Sequence, residues 1–252
     1  MNVSVKTVRT EDRDFVCAVA EKVFAAYDGR GINWILPTDS GLWKINSGHR
    51  AGVVGVEINR RQCCVKLFYD SRPLVKIRNF VGVSKARRAF ENALKLHRMG
   101  VGCPEMTGLV RFSPSGPLLI VSELCDYAER MDRWLVQQNP DMEIVKRFAD
   151  FVRTMHEEGI SHIDFSLRNM MLFYREGYKF LLLDHEDVRF GRKVSRQERL
   201  NNLHHLNERA LKIVSLRWRL RFLKEYSGQK QFREWAYELD KMITRKPSKY
   251  TG

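Results

Sequence analysis

No apolar run in this 252-residue sequence approaches the roughly 20 residues that cross a bilayer as a helix, so a membrane-spanning chain is not expected. The apolar stretch near the amino terminus is interrupted by Asp12, Arg13, Asp14, Glu21 and Lys22, which excludes a signal peptide reading. The five cysteines form no CxxC pair, and adjacent Cys63 and Cys64 are poor disulfide partners. Zinc-ribbon and secreted frameworks therefore drop out, and reduced thiols in a cytosol fit best. No Pro/Gly/Ser linker, low-complexity tract or internal repeat divides the chain. Acidic residues are also short, 30 against 44 Lys and Arg, which leaves a net charge of +14. Residues 191–252 hold 16 basic and 6 acidic residues, so +10 of that excess lies in the last quarter. An anionic partner follows: nucleotide phosphates, nucleic acid or an acidic membrane surface.

What is present is ordinary globular composition, 44% hydrophobic and 29% charged, at a length that buries a large core without staples. Phe15, Val19, Val23 and Phe24 form a helical stripe over about 11–26. Short β-like runs follow at 42–46, 53–58, 63–68, 106–112 and 118–123, with residues 59–62 as a hairpin link. A helix over 84–99 interrupts them and stops at Gly100 and Gly102 before Pro104. The second half turns helical. Ile144, Phe148, Phe151, Val152 and Met155 share one face closed by Gly159; Ser195 with Glu198 forms a capping box; Phe232, Trp235, Leu239 and Ile243 predict a last helix. The fold class is α+β: a small β-rich lobe, a larger helical lobe, and a cleft near residues 123–131.

The most informative local pattern is Ser161-His162-Ile163-Asp164-Phe165-Ser166-Leu167-Arg168-Asn169, followed by a hairpin whose second strand ends at Asp184. Asp164, Asn169 and Asp184 then converge at one end of that hairpin. Phosphoryl transfer uses such a set: one carboxylate to orient the attacking hydroxyl, an amide and a second carboxylate to hold Mg²⁺. The plainer alternative is a polar turn in which His162 is a hydrogen-bonded core histidine.

If the pattern is a phosphoryl-transfer site, the first lobe owes it a strand lysine and a helix glutamate. Lys66 lies in an otherwise apolar strand, Cys64-Val65-Lys66-Leu67-Phe68, where an unpartnered ammonium is costly. Glu91 is the single acid between Ser71 and Pro104. Each has a plain alternative: Lys66 facing solvent, and Glu91 in a surface salt bridge with Arg87 or Lys95 at i−4 and i+4. Gly48 and Gly52, between two strands, offer backbone N–H groups for phosphates, although hairpin glycines are common and no GxGxxG or Walker motif is present.

Lys66, Glu91, His162-x-Asp164-xxxx-Asn169 and Asp184 stand in the order of a protein-kinase-like fold. The segments 87–104 and 181–189, with Arg199-Leu-Asn-Asn-Leu-His-His-Leu-Asn207, resemble the bacterial lipopolysaccharide core kinases, which phosphorylate Kdo or heptose. The resemblance covers about residues 42–215. It implies a two-lobed protein-kinase-like fold and an ATP- and Mg²⁺-dependent sugar kinase acting on a lipid-linked core sugar. The expected location is the cytoplasmic face of the inner membrane. It carries phosphate contact to Lys66, the partner role to Glu91, the base to Asp164, metal binding to Asn169 and Asp184, and the nucleotide to the vicinity of Glu123 and Cys125. Ser166 stands where protein kinases place a lysine, and Arg168 is the candidate replacement cation. Asp184-His185-Glu186 replaces Asp-Phe-Gly, and no Ala-Pro-Glu anchor follows, which argues against a peptide acceptor.

The corresponding domains are an amino-terminal extension over 1–40, an N-lobe over 41–124 and a C-lobe over 125–252. The run Leu216-Arg-Trp-Arg-Leu-Arg-Phe-Leu-Lys-Glu-Tyr226 suits an anionic membrane surface, or equally a basic helix whose aromatics pack on the core. A catalytically silent scaffold and an RNA-binding protein are the competing functions. No RNP motif, zinc finger or helix-turn-helix supports the second.

Overall fold

The computed structural model describes residues 4–27, 41–47, 51–69, 84–112, 117–174 and 177–245. The chain divides into two units, Met1–Asp126 and Tyr127–Gly252, each with its own core.

In the first unit the alternation of apolar residues builds one six-stranded sheet. Its strands are β1 (Ser4–Thr7), β2 (Leu42–Ser47), β3 (Ala51–Ile58), β4 (Arg61–Phe68), β5 (Met106–Arg111) and β6 (Leu118–Ser122), in the order β1-β5-β6-β4-β3-β2. Every neighbouring pair is antiparallel. Asn59 and Arg60 turn β3 into β4 with φ of 50° and 66°, the left-handed pair a two-residue hairpin requires.

Helix α1 (Arg13–Ala26) covers one face of this sheet. Its Val16, Val19, Ala20 and Val23 pack with Val54, Val56, Cys63, Val65, Leu67, Val110, Leu119 and Val121. Helix α2 (Lys85–Arg98) packs against β5 and β6, where Lys6 on β1 lies over the ring of its fully buried Phe90. Val5 belongs to the α1 side, so Lys6 and α2 take the opposite face. The Ser84 hydroxyl accepts the N–H of Arg87 and starts α2; Gly100 at φ +73° ends it.

An extension over 1–40 does not match what is seen. β1 pairs in register with β5 and α1 supplies a third of the first core, so the described part of that segment is integral to the unit. A four-residue edge strand carries too little periodicity to be read from sequence. The division after Asp126 also falls two residues later than expected.

The second unit contains β7 (Glu129–Arg130), α3 (Met131–Gln137), α4 (Met142–Glu157), β8 (Ile160–His162), β9 (Met170–Phe173), β10 (Lys179–Leu182), β11 (Val188–Phe190), α5 (Arg196–Ala210), α6 (Leu216–Ser227) and α7 (Phe232–Arg245). Two small sheets, β10-β9-β7 and β11-β8, sit among these helices. The Asp141 carboxylate caps α4 at the Ile144 N–H, and the predicted Ser195–Glu198 box opens α5. Gly159, at φ +76°, ends α4 where a Cβ would collide with the backbone of Gly191, and the Gly191 N–H donates to Gly159 O at 2.8 Å. That close crossing starts β8 alongside β11.

Candidate active site

The pattern 161–169 folds as strand, tight turn and one 3-10 turn. β8 delivers His162, residues 163–166 turn, and Leu167–Asn169 form the 3-10 turn that enters β9. Phe165 and Leu167 are buried and pin the segment from below, leaving Asp164 exposed at its crest. The Asn169 side-chain NH₂ donates to Asp164 O at 2.8 Å and to Asp164 Oδ2 at 3.3 Å. Asn169 Oδ1 accepts no hydrogen bond from a described residue, which leaves the oxygen that a hard cation prefers.

Asp184 is brought to the same place by backbone contacts. The Leu183 N–H donates to Asn169 O at 2.8 Å, and the Ile163 N–H to Asp187 O at 2.9 Å. His162 Nε2 lies 3.2 Å from both Leu183 O and Asp184 O, so Nε2 carries the proton and donates to the two carbonyls. Asp184 itself is held at φ +50°, ψ 52°, a left-handed conformation that Asp tolerates better than branched residues do. Hydrogen bonds thus join the Asn169 side chain to Asp164, and the Asn169 carbonyl to the residue before Asp184. His162 acts as the brace between the two segments, so the core-histidine reading also holds for that residue.

Three further residues hold β8, and sequence reasoning did not find them. The Asn202 side chain on α5 pairs with the backbone of His162 like a second strand, accepting its N–H at 3.2 Å and donating to its carbonyl at 3.0 Å. With Oδ1 fixed as the acceptor, His156 Nε2, 3.2 Å away, is its second donor. His156 Nδ1 is then unprotonated and accepts from the Tyr226 hydroxyl at 2.7 Å. Burial pushes His156 down to about 4, an effect the Asn202 hydrogen bond only partly opposes, and burial pushes Tyr226 up to about 12. This chain joins α4, α5, α6 and β8. Its members are 24 to 70 residues apart in sequence, and of the three only Asn202 lies in a segment that carries the family resemblance.

Arg168 is 59% exposed, with Nε 3.8 Å from Asp132 Oδ2 on α3. Partial burial alone would raise the Asp132 carboxyl. The Arg130 hydrogen bonds at 2.6 and 2.7 Å, the Arg133 N–H and the Arg168 charge hold it below its ordinary value instead. Ser166 is buried, and its carbonyl accepts the Asn169 N–H, so it offers no substitute for a lysine. A cavity of about 200 Å³ opens behind the turn, lined almost throughout by apolar side chains including Ile144, Phe148, Leu167, Leu206, Phe222 and Leu239.

In the first unit Lys66 occupies β4 opposite Ile120 of β6 and Val53 of β3. Val65 and Leu67 face α1, so Lys66 points to the face that carries α2, with Nζ 5.2 Å from the Phe68 ring. Trp43 lies on that face too; a Cβ on Gly55 would overlap its indole.

The structure does not bring Glu91 to Lys66. The Glu91 carboxylate accepts from Arg87 Nε at 2.8 Å and lies 3.9 Å from Lys6, at the far end of the same cross-strand row. The i−4 ion pair prevails because both side chains are half exposed on one helix face. Gly52 lies buried in the β3 ladder between Ser47 and Leu67, whereas Gly48 falls outside the described residues. Glu123 follows β6, donating its N–H to Glu105 O at 2.8 Å and accepting the Glu105 N–H on its carboxylate at 3.2 Å; Cys125, two residues on, is buried.

A model of the lipopolysaccharide kinase (Kdo/WaaP) family matches residues 21–226, a span that contains every one of these candidate residues. The chain belongs to the lipopolysaccharide kinase (Kdo/WaaP) family. This member is accordingly a kinase, a phosphotransferase of lipopolysaccharide biosynthesis. No curated protein matches its sequence. Among solved structures it is similar to WaaP in complex with acyl carrier protein, at 18% identity and a TM-score of 0.64, over 96% of this chain and 97% of that one. At that identity the likeness establishes a shared mixed α/β fold.

Proposed function

We propose that this lipopolysaccharide kinase transfers the terminal phosphoryl group of ATP to a hydroxyl of an inner-core sugar, Kdo or heptose. The observation that carries this reading is the Asn169 amide bridging to Asp164 while its backbone carbonyl holds the residue before Asp184. Asp164, exposed and oriented through Asn169, is placed to accept the proton of the attacking hydroxyl. Asn169 Oδ1 and the Asp184 carboxylate would hold Mg²⁺. Two protein oxygens suffice, because that ion keeps waters and phosphate oxygens as its other ligands. Bound there, Mg²⁺ would neutralise the phosphate charge. Lys66 contributes a cation for the nucleotide phosphates, the segment Glu123–Cys125 takes the base, and Arg168 supplies the charge that Ser166 lacks. The intact trio favours turnover over a silent scaffold.

The test is phosphoryl transfer from ATP to delipidated core oligosaccharide, with the product mapped by mass spectrometry. Asp164→Asn should lower kcat by roughly 10²–10⁴ and leave the affinity for Mg²⁺–ATP in place. Asp184→Asn should instead weaken Mg²⁺-dependent ATP binding. The assignment of roles fails if the two variants show the reverse pattern.

The apolar cavity supports a second partner. Its lining suits an acyl chain, the cargo of the carrier protein with which WaaP was solved. Extracted, natively purified protein should release fatty acyl chains detectable by mass spectrometry, and Leu206→Trp, which fills the cavity, should reduce their yield several-fold. Equal yields from both proteins would remove this reading.

A further inference from the structure

A second groove in the Tyr127–Gly252 unit, of about 400 Å³, adjoins the catalytic turn on the side of Arg168. Its character is opposite to that of the apolar cavity. Arg133 from α3, Arg168 from the turn, Arg209 from the end of α5 and Lys212 just beyond it all line it, with Asp132 and Glu208 as its acids. Of the two acids, Asp132 is already paired with arginines. Asp132 is held by both nitrogens of the Arg130 fork, and Glu208 lies 3.4 Å from ring nitrogens of both His204 and His205. Among the described residues Arg133 and Lys212 make no salt bridge.

Local structure explains part of this charge and not the rest. Arg209 and Lys212 sit at the carboxy-terminal end of α5, where cations are favoured. Arg133 sits in the first turn of α3, where a cation is disfavoured, and its side chain makes no salt bridge with a described residue. Like charges that line one groove are relieved by an anion entering from outside. Charge-assisted hydrogen bonds from arginine are well suited to carboxylate and phosphate oxygens. The groove has the size of a ligand site, and Arg168 is one residue from Asn169 and four from Asp164.

We infer that this groove holds an anionic group of the acceptor, a carboxylate or an existing phosphate, and so places the hydroxyl to be phosphorylated at Asp164. The inference rests on the kinase reading of the site and names what that site selects. It makes Arg133 and Lys212 positioning and specificity residues, distinct from those that handle ATP.

The experiment measures binding and turnover separately. Calorimetric titration of delipidated core oligosaccharide compares the wild type with Arg133→Gln, Lys212→Gln and the conservative Lys212→Arg. Each Gln variant should weaken oligosaccharide binding by about tenfold, with Lys212→Arg largely restored and the KM for ATP unmoved. The source of the anion is read from two modified acceptors, one with its carboxyl groups reduced to alcohols and one enzymatically dephosphorylated. The wild type should lose affinity for the acceptor deprived of the recognised anion, and on that acceptor the Gln variants should lose little more. Gln variants that bind the native oligosaccharide as tightly as the wild type overturn the inference, as does a wild type that ignores both acceptor modifications. Variant-sensitive binding without phosphoryl transfer would retain the groove and reject this oligosaccharide as the acceptor of the proposed transfer from ATP.

Discussion

His156 shows how much a single side chain outside the reacting groups can govern. Its ring is fully buried between a hydroxyl donor and an amide acceptor; acceptance from the Tyr226 hydroxyl requires the neutral form, and burial disfavours the charged one. Its folded pKa is depressed from 6.5 to about 4, so below pH 6.5 the unfolded chain takes up a proton that the folded chain refuses. Stability from this group is therefore complete above pH 6.5 and is lost as pH falls toward 4. The loss amounts to roughly 3 kcal/mol across the window. Urea unfolding at pH 7.0, 5.5 and 4.5 should show that slope in the wild type and a much flatter one in His156→Gln. An unchanged slope would assign the acid sensitivity to other groups.

Legibility at this scale follows the range of the interaction. Asp164, Asn169 and Asp184 are spaced by the geometry of one turn and one hairpin, so their meeting is written in a short stretch of sequence. Asn202, His156 and Tyr226 meet through the packing of three helices, and each looks like an ordinary polar residue in its own segment. Glu91 failed for the converse reason. A local rule, the i−4 ion pair, overrode the long-range partner expected for it.

Among the elements, α6 follows the second of the two readings its sequence allowed, a basic helix whose aromatics pack on the core. Its composition suits a membrane surface, but the structure spends much of that face internally. Phe222 packs on Phe148 with ring centroids 5.2 Å apart, Leu223 and Tyr226 are buried, and Trp218 lines the apolar cavity with Arg221 over its ring. Arg219 donates to Asn207 Oδ1 at 2.9 Å and to Val214 O, and burial lowers its pKa. What remains outward is Arg217, Lys224, Leu216 and Leu220. Attachment of α6 to a membrane would therefore rest on two cations and two leucines, at about 1 kcal/mol per cation near an anionic leaflet. Sedimentation with anionic vesicles should fall sharply in Arg217→Glu/Lys224→Glu and in high salt. Arg219→Glu should instead lower the melting temperature, because it breaks an internal bond. If the double variant still sediments fully, the membrane contact lies elsewhere. Other elements read well where periodicity is long, as in α2 and α4. The seven-residue α3 and the four-residue β1 were too short to register, although one frames the groove and the other closes the sheet.

At the scale of the whole molecule, the partition between a sheet-built unit and a helical unit was visible in the change of hydrophobic period near residue 125. The role of the first 26 residues was not, because it depends on β1 finding β5 a hundred residues away. The same pairing gives the limits of the family match a physical meaning. Recognition as a lipopolysaccharide kinase begins at residue 21, inside α1, and ends at residue 226, before α7. Val16 and Val19, which have no exposed surface, lie ahead of that span, and buried Trp235 and Leu239 lie after it. A boundary drawn by family membership would thus cut one helix in half and strip another from its seat. The stretch by which this kinase is recognised is shorter, at both ends, than the stretch that closes its two cores.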